Sequence, residues 1–416
     1  MTNFASGLSL IKHAIQKIVR VPAWFVRSVT THYRQAMYQL VLLLTERYWL
    51  IDYLPKRSTG KNSVLLVRLD LIGDFVIWLD AAKEFKSLYP NKNIMLYANS
   101  TWASLAEKLS HWDQVISVDV SRLRVDPLYR LSLLVQTHWR GFGIAIQPTY
   151  SREYVGDLVI RATQAAQRIT HLGDTNNIAP DHKTISDGWY TRLISTTAGA
   201  EVEFTINAEL IRALGNRGFK SALPTLPELE TLPGGMKVES PYCVIVPGAS
   251  WAPKTWPIGN FAQVAKQIQG QHGLKIVLCG TESERTLCQQ LALACGGDVL
   301  NLAGKTSLSQ FVELIRDSVI VVANDSSSVH IAAATGVLAV CVLGGGHYGR
   351  FLPYQLETSS VPGSLPTVLN EDMECYGCHW RCKYLMQPEQ LVPCVSRVSF
   401  QLVVSACSRA LTDQAF

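Results

Sequence analysis

VLLVRLDLIGD, residues 64–74, and VANDSSSVHIAAATG, residues 322–336, are the stretches that decide the fold. Each opens on an apolar run of strand length, 64–69 in one case and 319–323 in the other, and ends in a polar loop, 68–74 or 324–330. Runs that are apolar on both faces read as buried parallel strands. Polar loops at the carboxyl ends of such strands are where open α/β sheets hold their ligands. Two such loops, far apart in the chain, predict two sheets that face one cleft.

The sequence around each loop supports that reading. Short apolar runs at 94–97, 114–118 and 143–146 follow the first, with helical periodicity at 75–88 and 101–109. A second alternation has strand patterns at 242–246, 274–279, 299–302, 319–323 and 338–343, and helical patterns at 259–270, 282–294, 307–316 and 328–335. Such βαβ alternation belongs to doubly wound sheets. Between the two runs, Pro224, Pro227, Pro233, Gly234 and Gly235 mark an interdomain linker. The expected organisation is a basic amphipathic helical extension (1–62), an N-terminal Rossmann-like acceptor domain (63–220), a linker (221–241), a C-terminal Rossmann-like nucleotide-sugar domain (242–355) and a cysteine-rich tail ending in a helix (356–416).

Composition fits two well-buried domains. The chain has 416 residues, 48% of them hydrophobic and only 17% charged, which argues against disorder. No apolar run approaches the length of a membrane-spanning helix, and Lys12, Lys17 and Arg20 interrupt any secretory-signal pattern at the start, so a cytoplasmic protein is expected. Residues 1–61 carry nine Lys or Arg against Glu46 and Asp52, a local charge of +7 within an overall +5. Trp24, Phe25, Tyr33, Tyr38, Tyr48, Trp49 and Tyr53 are interleaved with them. That mixture suits either peripheral contact with an anionic inner-membrane surface or a helical layer packed on the body. With no basic stripe elsewhere, nucleic acid is not an expected partner.

The cysteines divide into two groups. Cys243, Cys279, Cys288, Cys295, Cys341 and Cys407 fall in strand or helix patterns and read as buried thiols. Cys375, Cys378, Cys382 and Cys394 form C-x2-C-x3-C-x11-C in a polar segment, a spacing that suits a structural Zn or Fe site. Unliganded thiols and disulfides are the other readings of the same spacing.

Five segments in order, VLLVRLDLIGD (64–74), VIVPGASWAPKTWP (244–257), VLCGTESER (277–285), NLAGKTSLSQFVELI (301–315) and VANDSSSVHIAAATG (322–336), resemble the heptosyltransferases of glycosyltransferase family 9. The resemblance implies a GT-B fold, in which two Rossmann-like domains face a cleft. It further implies an inverting transferase that moves a heptose, with ADP-heptose as donor, to a lipopolysaccharide, glycan or protein acceptor. By the same resemblance Asp74 is the catalytic base, Lys254 meets the donor diphosphate and Glu284 holds the ribose. A cysteine finger of this kind resembles one in the branch that glycosylates autotransporters, where it holds iron; that branch also assembles into large rings.

The residues carry physical roles of their own. Glycosyl transfer needs a base for the acceptor hydroxyl and stabilisation of the departing diphosphate. Asp74 suits the first task, or it N-caps the following helix. Gly248 and Ser250 end a buried strand, and with Lys254 they would cradle phosphate. Asp325, Ser326 and Ser327 open a helix whose amides would meet an anion, and His330 either contacts phosphate or is a core histidine. Ser327 stands where the family has glycine, which adds a side chain beside the phosphate path. Glu284, with Glu282 as rival, suits sugar hydroxyls, and Thr306 either lines the donor pocket or caps the next helix. Gln147 and Ser151 lie in the loop 147–152, suited to acceptor hydroxyls, while Arg122, Arg124 and Arg130 either steer an anionic acceptor or form a solvated face.

No Asp-x-Asp pair occurs anywhere in the chain, so transfer without a divalent metal is expected. Two rival functions remain: another GT-B sugar-nucleotide enzyme of the epimerase kind, and a non-catalytic scaffold that uses the cysteine finger.

Overall fold

The computed structural model describes residues 62–197, 202–358, 365–384, 387 and 390–413. The N-terminal basic extension, with its membrane reading, lies outside the described residues. Two six-stranded parallel sheets form the frame. The first runs β3-β2-β1-β4-β5-β6, from β1 (Ser63–Arg68), β2 (Asn93–Asn99), β3 (Gln114–Val118), β4 (Ile144–Gln147), β5 (Gln167–His171) and β6 (Arg192–Ile194). The second runs β12-β11-β10-β7-β8-β9, from β7 (Tyr242–Val246), β8 (Lys275–Leu278), β9 (Val299–Asn301), β10 (Ile320–Asn324), β11 (Leu338–Val342) and β12 (Thr367–Leu369). Counted from its own first strand, each sheet has the order 3-2-1-4-5-6 of the doubly wound fold. The strand order reverses between β1 and β4 in one sheet and between β7 and β10 in the other.

That topology positions the site. The loops that leave β1, β4, β7 and β10 are the sequence segments 68–74, 147–152, 247–250 and 324–328, so all four open at the reversal points where such sheets bind ligands. The strands between them are buried along nearly their whole length, with Val64–Val67, Cys243–Ile245 and Ile320–Ala323 fully inaccessible. Burial on both faces by covering helices is what their unbroken Val, Ile and Leu content reflects.

Helices also join the two halves. Ile72–Ala82 and Ser327–Thr335 pack together, and one continuous apolar cluster contains Phe75 and Val76 of the first with Val329 and Ile331 of the second. Gly73 lies in that contact, where a Cβ would sit 3.0 Å from the His330 ring and 3.7 Å from the Ser327 Cα, so a larger residue would require the ring to give way. An aromatic stack braces the first helix: Phe75 lies on Trp102 at 4.0 Å and Trp78 on Trp112 at 6.1 Å between centroids. Offset stacking of this kind adds roughly 0.5–1.5 kcal/mol per pair beyond area burial.

Several boundaries differ from the sequence reading. The helix read at 75–88 starts earlier, at Ile72, and breaks at Lys83 into Ile72–Ala82 and Glu84–Leu88. Strands β5, β6 and β12 carry no strong alternation in sequence, and β12 places the edge of the second sheet beyond residue 355. The stretch 221–241 is extended but anchored: Ala222 N–H donates to Asp80 at 2.8 Å, Leu226 N–H to the Ala334 carbonyl at 2.9 Å and Leu229 N–H to Glu313 at 2.8 Å. The terminal helix Phe400–Asp413 buries Val403, Ala406 and Cys407 in the cluster that holds Phe261, Val264 and Ile268 of Ile258–His272. Among the described residues no helix is long and apolar enough to cross a membrane.

Candidate active site

The loop after β1 is held rigid. Trp102 Nε1 donates to the Asp70 carbonyl at 2.9 Å, and Asn99 Nδ2 donates to the Leu69 and Asp70 carbonyls at 3.1 Å each. Leu71, extended and without a side-chain capping bond, precedes the helix, and Asp74 is its third residue. The N-cap reading of Asp74 is therefore corrected: the helix begins two residues before it. Asp74 as a whole is half-buried.

Around Asp74 the chain gathers charges from four elements. Fully buried Arg68 pairs through Nε with Asp70 at 2.7 Å, donates from Nη2 to the Asp74 carbonyl at 3.1 Å and lies 3.8 Å from Glu203. From the second half of the chain, Arg350 reaches Glu203 at 3.2 Å, Ser151 at 2.9 Å and Asp174 at 3.4 Å. Ser151 Oγ in turn donates to Asp174 at 2.7 Å. Carboxylates outnumber guanidiniums in this cluster, and burial weakens solvent screening. Burial, followed by the negative charges of Asp70 and Glu203, lifts Asp74 to about 7, against the opposing pull of Arg68 and Arg350. Burial likewise raises Asp70 to about 6, with Arg68 opposing. Arg68 Nη1 and Asp70 Oδ1 are buried and have no hydrogen-bond partner among the described residues, leaving polar capacity beside Asp74.

The loops after β7 and β10 interlock. Asn324 Nδ2 donates to the Pro247 carbonyl at 2.6 Å and the Gly248 carbonyl at 3.2 Å, and its Oδ1 accepts from Trp256 N–H at 3.0 Å. Lys254 is thereby set beside the start of the helix Ser327–Thr335, 3.8 Å from Asp325. Ser326 is that helix's N-cap residue, without a side-chain capping bond; its hydroxyl instead meets that of Ser328 at 2.7 Å. Ser250 is exposed and Ser327 half-buried at the same mouth.

Glu284 lies over Gly248 so closely that a Cβ there would fall 1.7 Å from its Oε1. Its other oxygen closes a capping box, accepting from Thr281 N–H at 2.7 Å and Thr281 Oγ1 at 2.8 Å. Glu282, the rival, is exposed and pairs with Arg285 at 2.9 Å. Thr306 is half-buried in the loop beyond, but the helix Leu308–Arg316 is capped by Ser307, so the capping alternative for Thr306 is corrected.

Two expectations change more. His330 is 4% exposed, its Nδ1 bonded to Tyr354 Oη at 2.7 Å and its ring against Gly73, and burial lowers it to about 4, so it is a neutral ring at the junction of the halves. Gln147 turns inward: Tyr190 Oη donates to its Oε1 at 2.5 Å, and a Cβ on Gly156 would lie 2.5 Å from its Nε2, so the amide is consumed in packing instead of facing an acceptor. Ser151 stays in the cleft network. Arg130 is buried and donates to the Leu123 carbonyl at 2.8 Å, while Arg122 pairs with Asp126 at 2.9 Å and Arg124 with Glu153.

A sequence model of glycosyltransferase family 9 (heptosyltransferase) matches residues 208–375. Those residues form a glycosyltransferase family 9 domain. A lipooligosaccharide heptosyltransferase 2 of Haemophilus ducreyi is 37% identical over 99 residues, 23% of this chain and 28% of that protein. The match thus spans little more than a quarter of the relative's length. The structure of the E. coli ADP-heptose lipopolysaccharide heptosyltransferase II superposes with a TM-score of 0.60 at 18% identity, covering 85% of this chain and all of that one. The iron-containing dodecameric glycosyltransferase TibC of enterotoxigenic E. coli superposes with a TM-score of 0.50 at 15% identity over 86% of this chain and 77% of its own. These likenesses establish the GT-B fold. The matched segment contains Gly248, Ser250, Lys254, Glu284, Thr306, Asp325, Ser326, Ser327 and His330, whereas Asp74 lies outside it.

Sequence reasoning missed Asp70, Asp174, Glu203, Arg350 and Tyr354. Arg68 and Asp70 stood in the stretch that decided the fold and could have been found as charges set directly behind a buried strand.

Proposed function

We propose that this protein is an inverting heptosyltransferase that moves heptose from ADP-heptose to a hydroxyl of a lipopolysaccharide, glycan or protein acceptor. The observation that carries the reading is Asp74, a carboxyl lifted to about 7 at the reversal point of one sheet, next to Gly73, which lies against Ser327 and His330 at the reversal point of the other. Asp74 takes the proton of the acceptor hydroxyl as its oxygen bonds the anomeric carbon. The bond from that carbon to the diphosphate oxygen breaks, and ADP departs with the electron pair. Lys254, the Gly248–Ser250 backbone and the start of Ser327–Thr335 stabilise the charge that develops on the diphosphate. Glu284, held over Gly248, receives ribose hydroxyls, Thr306 borders the same pocket, and Ser151 borders the acceptor. With these groups in place, transfer needs no divalent metal.

Cys375, Cys378, Cys382 and Cys394 would hold a structural iron or zinc. Among the described residues no three metal-binding side chains are gathered into a ready site, yet the thiols sense one another electrostatically, and Cys394 Sγ accepts the Gly345 N–H at 3.4 Å. Amide bonds to sulfur and a turn with Gly377, His379 and Trp380 at positive φ suit thiolate ligands. Bound metal would tie the segment together and take no part in transfer. The basic and aromatic residues before 62 would serve either as a contact with the inner-membrane surface or as a helical layer on the body, and vesicle binding with and without residues 1–55 separates the two.

The test is release of ADP from ADP-heptose with a heptose-bearing lipopolysaccharide core as acceptor, in the presence of EDTA. Transfer that continues under EDTA and disappears in Asp74→Asn supports the proposal. Epimerised free sugar in place of a glycosylated acceptor would replace it with the sugar-nucleotide epimerase reading. Elemental analysis finding less than about a tenth of an equivalent of Fe or Zn would remove the metal.

A further inference from the structure

The cysteine-rich segment is seated directly on the loop that follows β11. Gly344, Gly345 and Gly346 form the seat: a Cβ on them would lie 2.6 Å from Trp380, 2.2 Å from Tyr376 and 2.3 Å from Trp380 respectively. Backbone bonds fasten the two together, from Gly377 N–H to the Gly345 carbonyl at 2.8 Å and from His379 N–H to the Gly346 carbonyl at 2.9 Å. Three glycines in a row are thus the shape complement of two aromatic side chains. The turn at His379 and Trp380, with φ of 48° and 62°, aims the Trp380 indole out of the segment and over Lys254, whose Nζ lies 4.3 Å from the ring centroid. Trp251 meets the same indole edge-on at 6.3 Å. Lys254 is therefore held between a carboxylate, Asp325 at 3.8 Å, and an aromatic face.

A lysine side chain has many rotamers, and fixing its ammonium before the ligand arrives removes that entropy from the binding step. An indole face attracts the cation without competing for its hydrogen bonds, which stay free for phosphate oxygens. Asp325 alone would hold the ammonium but would also neutralise it.

We propose that Trp380 is a positioning residue for nucleoside diphosphate binding: the cysteine segment acts as one wall of the donor site, and its indole holds the Lys254 ammonium where the diphosphate arrives. The inference rests on the donor-site reading above.

Its test is a double-mutant cycle read by ADP binding in titration calorimetry, with no acceptor present. Trp380→Leu should weaken ADP about tenfold, and Trp380→Phe, which restores a ring face, about threefold. In a Lys254→Met background, Trp380→Leu should change ADP affinity less than about twofold. Thermal unfolding of each variant identifies any that fails to fold, and Trp380→Phe then carries the cycle. Equal weakening in both backgrounds would overturn the inference in favour of general support of the fold. Unchanged ADP affinity in Trp380→Leu would overturn it while leaving the donor site intact. A wild-type protein that does not bind ADP takes down the donor reading and this inference together.

Discussion

The loops 68–74 and 324–330 both open at the reversal point of sheets with the same strand order, the first after its sheet's first strand and the second after its sheet's fourth, and each leads into a helix whose N-cap makes no side-chain capping bond. Their chemistry is opposite. The first is crowded with buried charge: burial, then Asp70 and Glu203, lift the Asp74 carboxyl to about 7 against the pull of Arg68 and Arg350. The second offers hydroxyls, backbone amides, one lysine and a histidine kept neutral by burial. On the proposed reading one fold makes both a proton acceptor and an anion receptor, and burial with the side chains arriving from other elements accounts for the difference.

The strongest way to break this contrast is to exchange its consequences. Asp74→Asn keeps the shape but cannot accept the proton, so kcat should fall by about 10²–10⁴-fold while ADP affinity stays within about twofold. Lys254→Met should act on the other side, with a loss of about 10²-fold in kcat/KM that includes weaker ADP binding. Steady-state kinetics and calorimetry on both variants check the pair. If Asp74→Asn weakens ADP as strongly as Lys254→Met does, the division of labour between the loops is wrong.

The pH profile sharpens the acceptor side. A base with a folded pKa of about 7 is protonated below that pH, so kcat/KM should fall about tenfold per unit as pH drops below 7 and level off above it. Arg68 and Arg350 are the cations that pull Asp74 down, so Arg350→Met should move the acid limb to higher pH. ADP binding should not follow that limb, because His330 is lowered to about 4 and stays neutral across the range. A limb that stays in place in Arg350→Met would remove Arg350 from the electrostatics of the base.

How much of this was legible in the sequence follows from the physics of each part. Strands β1, β7 and β10 are buried on both faces, so their apolar runs announced them. Strand β5 begins with Gln167 and Arg168 at its open end, and β12 has three half-buried residues, so neither carries a pattern that periodicity can detect. Asp74 and Lys254 could be singled out in the sequence because each follows a strand at short range. Arg350 and Glu203 meet across 147 positions of chain, and no local pattern marks such partners. Gln147 was misjudged for a related reason: its place in a polar loop was visible, but the Tyr190 hydroxyl that claims its amide was not.

The smallest effect probes the loop at Ser327, where the sequence resemblance implies a glycine. Ser327 opens the helix and is half-buried, beside a pair of serines that bond each other at 2.7 Å and not to it. Its amide donates to an anion whichever side chain it bears, so Ser327→Gly should change the KM for ADP-heptose by less than about threefold. Loss of the side chain frees the unfolded backbone and should lower stability by up to about 1 kcal/mol, less at this first helical position than in mid-helix. Donor titration and denaturant unfolding measure the two terms separately. An affinity gain of tenfold or more would mean that the Ser327 side chain obstructs the diphosphate. In that case the donor loop of this chain, like its acceptor loop, would depend on particular side chains, and the contrast between a charged loop and a backbone receptor would fail.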